Sequence, residues 1–287
     1  MDVYSDEQYD KAITLYKNYL QKYGDGFFKI NVHYYLGECL FNRGHQTDAM
    51  PHFEYVVQQP KNEFTEQSLV FASQVLMNYS QYDKAVPYLI QLETTAEQKP
   101  NVLYARKSQV EAYSKMKEYQ KLVDVVENFI VTEKVTDNDK RWANMCSAMA
   151  YDSLGDTTNA LIKYRTVALE YVTAEGSEAK YRVASILFDQ KNYAEAEKEI
   201  LDFLEKSSSH QYWLGKSYIL WARIFMARNE LFQARYTLQN VLQHYKIQDD
   251  GIIAEVNDTL DEITDMEMAA KAQETHSVEL DMEGKNE

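Results

Sequence analysis

The chain has 287 residues, 45% of them hydrophobic, and a formal charge of −15 at neutral pH. That apolar content suffices for a packed core and is too high for a disordered chain. Nine glycines and four prolines are too few for an all-β protein, which needs a turn signal about every ten residues. The acidic balance argues against nucleic acid and against anionic membrane surfaces, both of which call for a positive protein face. Cys39 and Cys146 stand in no metal or redox spacing, and no apolar run reaches the roughly 18 residues of a membrane span.

Taken in chain order, one short segment recurs. QYDKA at 8–12 returns letter for letter at 81–85, and related segments are HQTDA, EYQKL, DTTNA, NYAEA and LFQAR. Aligned, they mark Ala12, Ala49, Ala85, Leu122, Ala160, Ala196 and Ala234, at steps of 37, 36, 37, 38, 36 and 38 residues. So even a period signals a solenoid. Twelve residues before most marks stands a small residue: Gly37, Ser73, Ala148, Ala184 and Ala222. Four and seven residues after them stand large apolar ones, at helical spacing. Each unit therefore reads as helix A, a short turn, helix B and a linker, the two small residues letting the helices cross closely. The fourth unit has Val110 and Leu122 at these places, which predicts a wider crossing.

The predicted elements are a lone helix B at 5–23, six helix pairs at about 28–246 and a lone capping helix at 252–270. Together they form one solenoid over 1–270, followed by an acidic disordered tail at 271–287. The capping helix carries Ile252, Ile253, Val256, Leu260 and Ile263 on one stripe. From Asp261 onward nine acidic residues face only Lys271 and Lys285, a net of −7. The first helix, with Ile13, Leu15, Tyr16, Tyr19 and Leu20, has no helix A before it, so an apolar face is expected to lie open. Solenoid ends normally carry a polar cap. The open face predicts either that the chain begins inside a longer array or that a second copy covers it as an isologous homodimer.

The segment YYLGECLFNRGHQTDAMPHFEYVV, with Leu36 and Gly37 in helix A, Gly44 in the turn, and Ala49 and Phe53 in helix B, resembles the tetratricopeptide repeat. The family's unit is 34 residues, so the linkers here are two to four longer. The resemblance implies an all-α fold, a right-handed α-solenoid of antiparallel helix pairs, and a concave face lined by helix A. On that face it places Tyr34, Phe41, Met77, Met145, Met149, Tyr181, Phe188, Ile219, Arg223 and Met226, with Tyr104 and Trp142 at the rim. Glu38, Lys107, Glu111, Ser114 and Asp152 fall on the same positions. The stretches from AEGSEAKYRVASILF to ARYTLQNVL resemble long tetratricopeptide proteins of the bacterial cell envelope, which implies a periplasmic or outer-membrane-associated parent protein. MDVYSDEQYD is not a signal peptide, so a complete chain would be cytoplasmic.

Nothing in the sequence signals catalysis, a metal or another cofactor. DNDK at 137–140 lacks the glycine and glutamate of a calcium loop and reads as a helix start. His33 and His52 read as packing residues of one unit, and the two cysteines as small hydrophobes. Only Lys107 and Arg223 are basic on the inner face, so a clamp for a C-terminal carboxylate is not expected. The functional expectation is a non-enzymatic scaffold that holds a protein or peptide segment on its concave face through aromatic and methionine anchors. The alternative is a self-association module with no groove ligand.

Overall fold

The computed structural model describes residues 6–206 and 209–283, with side chains over 8–206 and 209–272. The chain is described as two compact units, Met1–Gly155 and Asp156–Glu287.

The first unit holds α1 (Asp6–Lys22), α2 (Lys29–Asn42), α3 (Gln46–Val57), α4 (Thr65–Asn78), α5 (Tyr82–Thr95), α6 (Lys99–Met116), α7 (Tyr119–Ile130) and α8 (Asp137–Ser153). Each helix packs on the next in sequence, and α6 also packs on both α4 and α8. That second set of contacts stacks one helix A on another, as a solenoid requires. The marks sit where the helices cross: Ala49 and Ala85 are fully buried, and Leu122 nearly so. Their partners behave alike. A side-chain carbon added to Gly37 would meet the Phe53 ring at 2.8 Å, so only hydrogen fits there. Val110 and Leu122, the larger pair, are both buried in one cluster with Val126 and Phe129.

The helix A ends share a left-handed residue, and five of them, at Gly44, Ser80, Lys117, Lys191 and Asn229, share the full hydrogen-bond device. The residue five before each mark after the first is left-handed: Gly44 (φ 80°), Ser80 (56°), Lys117 (58°), Gly155 (76°), Lys191 (60°) and Asn229 (60°). Its amide and the next one then reach back to helix carbonyls. Lys117 N–H donates to Ser114 (3.2 Å) and Glu118 N–H to Tyr113 (3.0 Å), while Lys191 and Asn192 donate to Phe188 (2.8 Å) and Leu187 (2.9 Å). This is the Schellman arrangement, which satisfies carbonyls a helix end leaves without partners. It also reverses the chain into helix B.

Polar contacts tie neighbouring pairs together. Glu66 on α4 accepts the backbone amides of Glu97 (3.0 Å) and Gln98 (3.1 Å) and the side-chain amide of Asn101 (2.7 Å). It thereby holds the two residues that lead into α6, at the helix end whose dipole favours a negative group. Glu93 receives Arg106 (2.8 Å) and Gln109 (2.6 Å) in the next layer. The structure also corrects the reading of α1. Ile13, Tyr16 and Leu20 turn inward against Leu36, Leu40 and Phe53, leaving Leu15 as the large apolar side chain exposed on that helix.

The second unit holds α9 (Thr157–Ala168), α10 (Ala174–Asp189), α11 (Tyr193–Glu205), α12 (Gln211–Ala227), α13 (Leu231–His244) and α14 (Ile252–Glu283). Helix α12 packs on α10 as well as on its sequence neighbours, and α14 packs on both α12 and α13. Ile252, Val256 and Ile263 of α14 join Ile219, Ala222, Ala234 and Leu238 in one core. The acidic face of α14 stays outside: Asp258, Asp261, Glu262 and Asp265 are exposed. The expectation of a disordered tail from residue 271 is corrected, since α14 runs on to Glu283. The segment KAQETHSVELDME is built largely of good helix formers with no glycine or proline, so an anchored helix extends through it. Residues 284–287 of that expected tail lie outside the described residues. No described helix is long and apolar enough to cross a membrane.

Candidate functional site

In the first unit, the inner positions of α6 and the start of α8 converge. Lys107, Glu111, Ser114 and Lys115 from α6, with Asp139 and Trp142 from α8, line an open cleft of about 430 Å³. The DNDK string builds one wall as a helix start: the Thr136 hydroxyl accepts from the Asp139 amide at 3.1 Å. Asp139 in turn receives Lys107 at 2.7 Å. Hydrogen bonds from Lys107 and Thr136 hold its carboxyl below the usual range. Trp142 is half-buried, edge-on to Phe129 with ring centres 6.3 Å apart. The cleft thus presents charges of both signs around one indole. Behind it, burial pushes the Cys146 thiol up in pKa, which removes it as a reactive thiolate.

The other expected inner-face residues of this unit serve packing to differing degrees. Tyr34 is buried and stacked on Phe64 at 4.6 Å, and burial raises its hydroxyl's pKa. Met145 is likewise buried. Both differ in this from the open concave-face positions expected of them. Phe41 is half-buried against Phe71 at 4.8 Å, and Met77 packs partly against the Leu76–Ala85–Leu89 cluster. The Tyr104 hydroxyl lies 3.2 Å from that of Ser73. Met149 is open, at 46% exposure.

In the second unit, α10, α12 and α14 bring aromatic and charged side chains together. Tyr181 tilts against Trp213 at 5.5 Å, and the Lys216 ammonium lies 5.7 Å from the Tyr181 ring centre. Lys216 (2.7 Å) and Arg223 (3.6 Å) both pair with Glu255 of α14. Phe188 packs on Tyr193 at 5.4 Å, and Met226 lies against the α12–α14 core. Ile219 is buried in that core and so is removed from the binding set. Sequence reasoning missed Trp213, which stands nine residues before Ala222, outside the turns assigned to the inner face. Asp139 was seen only as part of a helix start.

The structure also joins His33 and His52 across α2 and α3. Their Nδ1 atoms are 3.0 Å apart, and His33 stacks on Tyr55 at 3.9 Å. Burial, with His52 and Lys29 nearby, lowers His33 to about 4. Burial and Lys17 lower His52, against an opposing pull from Asp48.

No protein-family model and no curated protein sequence matches this chain. Among solved structures, that of Naa15/Naa10 bound to HypK-THB aligns over 93% of this chain and 40% of the matched chain, at 14% identity and a TM-score of 0.56. A tetratricopeptide repeat protein from Parabacteroides merdae aligns over 88% and 92%, at 13% identity and a TM-score of 0.42. With the helix pairing, the stacked A helices and the repeating turn, the fold is an all-α solenoid of the tetratricopeptide type.

Proposed function

We propose that this chain is a non-enzymatic scaffold that holds an extended or helical segment of another protein in the cleft between α6 and α8. The observation that carries the reading is the convergence on one cleft of Lys107, Glu111 and Ser114, three inner-face positions of α6, with the rim residue Trp142 of the stacked helix α8. Trp142 is the anchor: a partly open indole buries a large apolar area on contact at little entropic cost. The paired and unpaired charges around it set register and exclude wrong partners. A bacterial-envelope setting is part of the proposal and is drawn from the sequence resemblance alone.

The test is capture from a native cell extract by wild type and by a Trp142→Ala variant shown to be folded. Truncating a central aromatic anchor costs about 2 kcal/mol, some thirtyfold in affinity. A partner held by wild type and lost by the variant supports the cleft. A partner held equally by both refutes it.

A further inference from the structure

We propose that copies of this chain associate head to tail, α14 of one copy docking on the outer face of α1 of another. The outward stripe of α1 is Lys11, Leu15, Asn18 and Lys22, all exposed, with Leu15 at 67%. Tyr23, Phe27 and Phe28 extend it, and Phe27 is 93% exposed. Asp10, the acidic group on this helix among the described side chains, is engaged by Arg43 at 3.1 Å, and exposed Asp25, in the loop with Tyr23 and Phe27, is paired with Lys29 at 3.3 Å. In a chain of charge −15, this is a basic face with apolar side chains standing in water.

Helix α14 offers the complement. Its inner stripe is spent in the core, whereas Asp258, Asp261, Glu262 and Asp265 face outward beside exposed Met266 and Met268. At 1.5 Å per residue, Lys11 to Lys22 spans about 16 Å and Asp258 to Met268 about 15 Å, so the two stripes match in length. Methionine adapts readily to aromatic neighbours.

The charge signs also decide the symmetry. Pairing α1 with α1, or α14 with α14, would set like charges face to face, which disfavours an isologous dimer. A head-to-tail contact sets opposite charges together and is heterologous, so it joins unlike surfaces of successive copies. One helix laid on another buries less than about 1,200 Å² in total, so the contact is weak and depends on concentration and salt.

Sedimentation of the full chain tests this. Wild type should form species larger than a monomer between about 10 µM and 1 mM. Its association constant should fall at least tenfold on raising salt from about 50 to 500 mM. Lys11→Glu/Lys22→Glu and Asp261→Lys/Asp265→Lys, all at exposed positions, should each be monomeric and folded by circular dichroism. Mixing the two variants, or combining all four changes in one chain, restores opposite charges and should restore association. A wild type that stays monomeric throughout overturns the proposal. So does an α14 variant that associates as wild type does, because that would make the contact α1 on α1.

Discussion

The left-handed residue five positions before each mark after the first leads to a test of the register. Lys191 sits at φ 60° in the turn between α10 and α11, and Lys198 lies seven residues on, exposed inside α11. A non-glycine residue in the left-handed region costs about 1–2 kcal/mol, and glycine avoids that cost. Against this, glycine loses about 0.5–1 kcal/mol more in backbone entropy on folding. Lys191→Gly should therefore stabilise the chain by about 0.5–1 kcal/mol. Lys198→Gly should destabilise it by about 1 kcal/mol, the ordinary penalty of glycine in a helix. Both changes remove the same side chain from the same helical unit, so composition and net charge cancel in the comparison. The assay is urea unfolding followed by circular dichroism, read as the shift in midpoint at constant slope. Midpoints that both fall by similar amounts would show that Lys191 is not left-handed, and the turn assignment would fail with it.

Further outcomes follow from other contacts. Gly37→Ala places a carbon 2.8 Å from the fully buried Phe53 ring, which is stacked on Phe71 at 4.9 Å. Overpacking should cost about 1–3 kcal/mol, and Phe53→Leu in the same chain should recover part of it. Strictly additive losses in that double-mutant cycle would refute the contact. The histidine pair gives a pH dependence. Because His33 is lowered from 6.5 to about 4 in the folded state, the unfolded chain binds more protons in that window. Its contribution is present above pH 6.5 and is lost as pH falls towards 4. The ring is only half-buried, and solvent screening reduces the loss to about 1–2 kcal/mol. His33→Gln should flatten the stability profile between pH 6.5 and 4; an unchanged slope would contradict the pairing.

Much of the fold was legible because the repeat is written in side-chain volume. Ala49, Ala85, Ala160, Ala196 and Ala234 are all fully buried, and only a small residue fits a close crossing. The turn was less legible for the opposite reason. A left-handed backbone costs a lysine or serine only about 1–2 kcal/mol, so Ser80, Lys117 and Lys191 stand where glycine was the only readable signal. The α14 extension was obscured by charge: an acidic tail reads as disorder, yet its helix formers continue a helix already anchored by Ile252, Val256 and Ile263. Inner-face positions were legible as a set, since 3.6-residue spacing fixes which side chains share a face. Their exposure was not. Tyr34, Met145 and Ile219 occupy the same repeat positions as open residues and are buried by the particular neighbours that cover them. The His33–His52 contact joins two helices at positions that no periodicity links.

The most direct test of the cleft assigned to this scaffold is photo-crosslinking in cells. A photoreactive amino acid would replace Glu111, inside the cleft, or Asp124, exposed on α7. The account predicts a discrete protein adduct from position 111 that disappears when Trp142→Ala is added, and none from position 124. Equal adducts from both positions, or an adduct at 111 that survives the loss of Trp142, would contradict it.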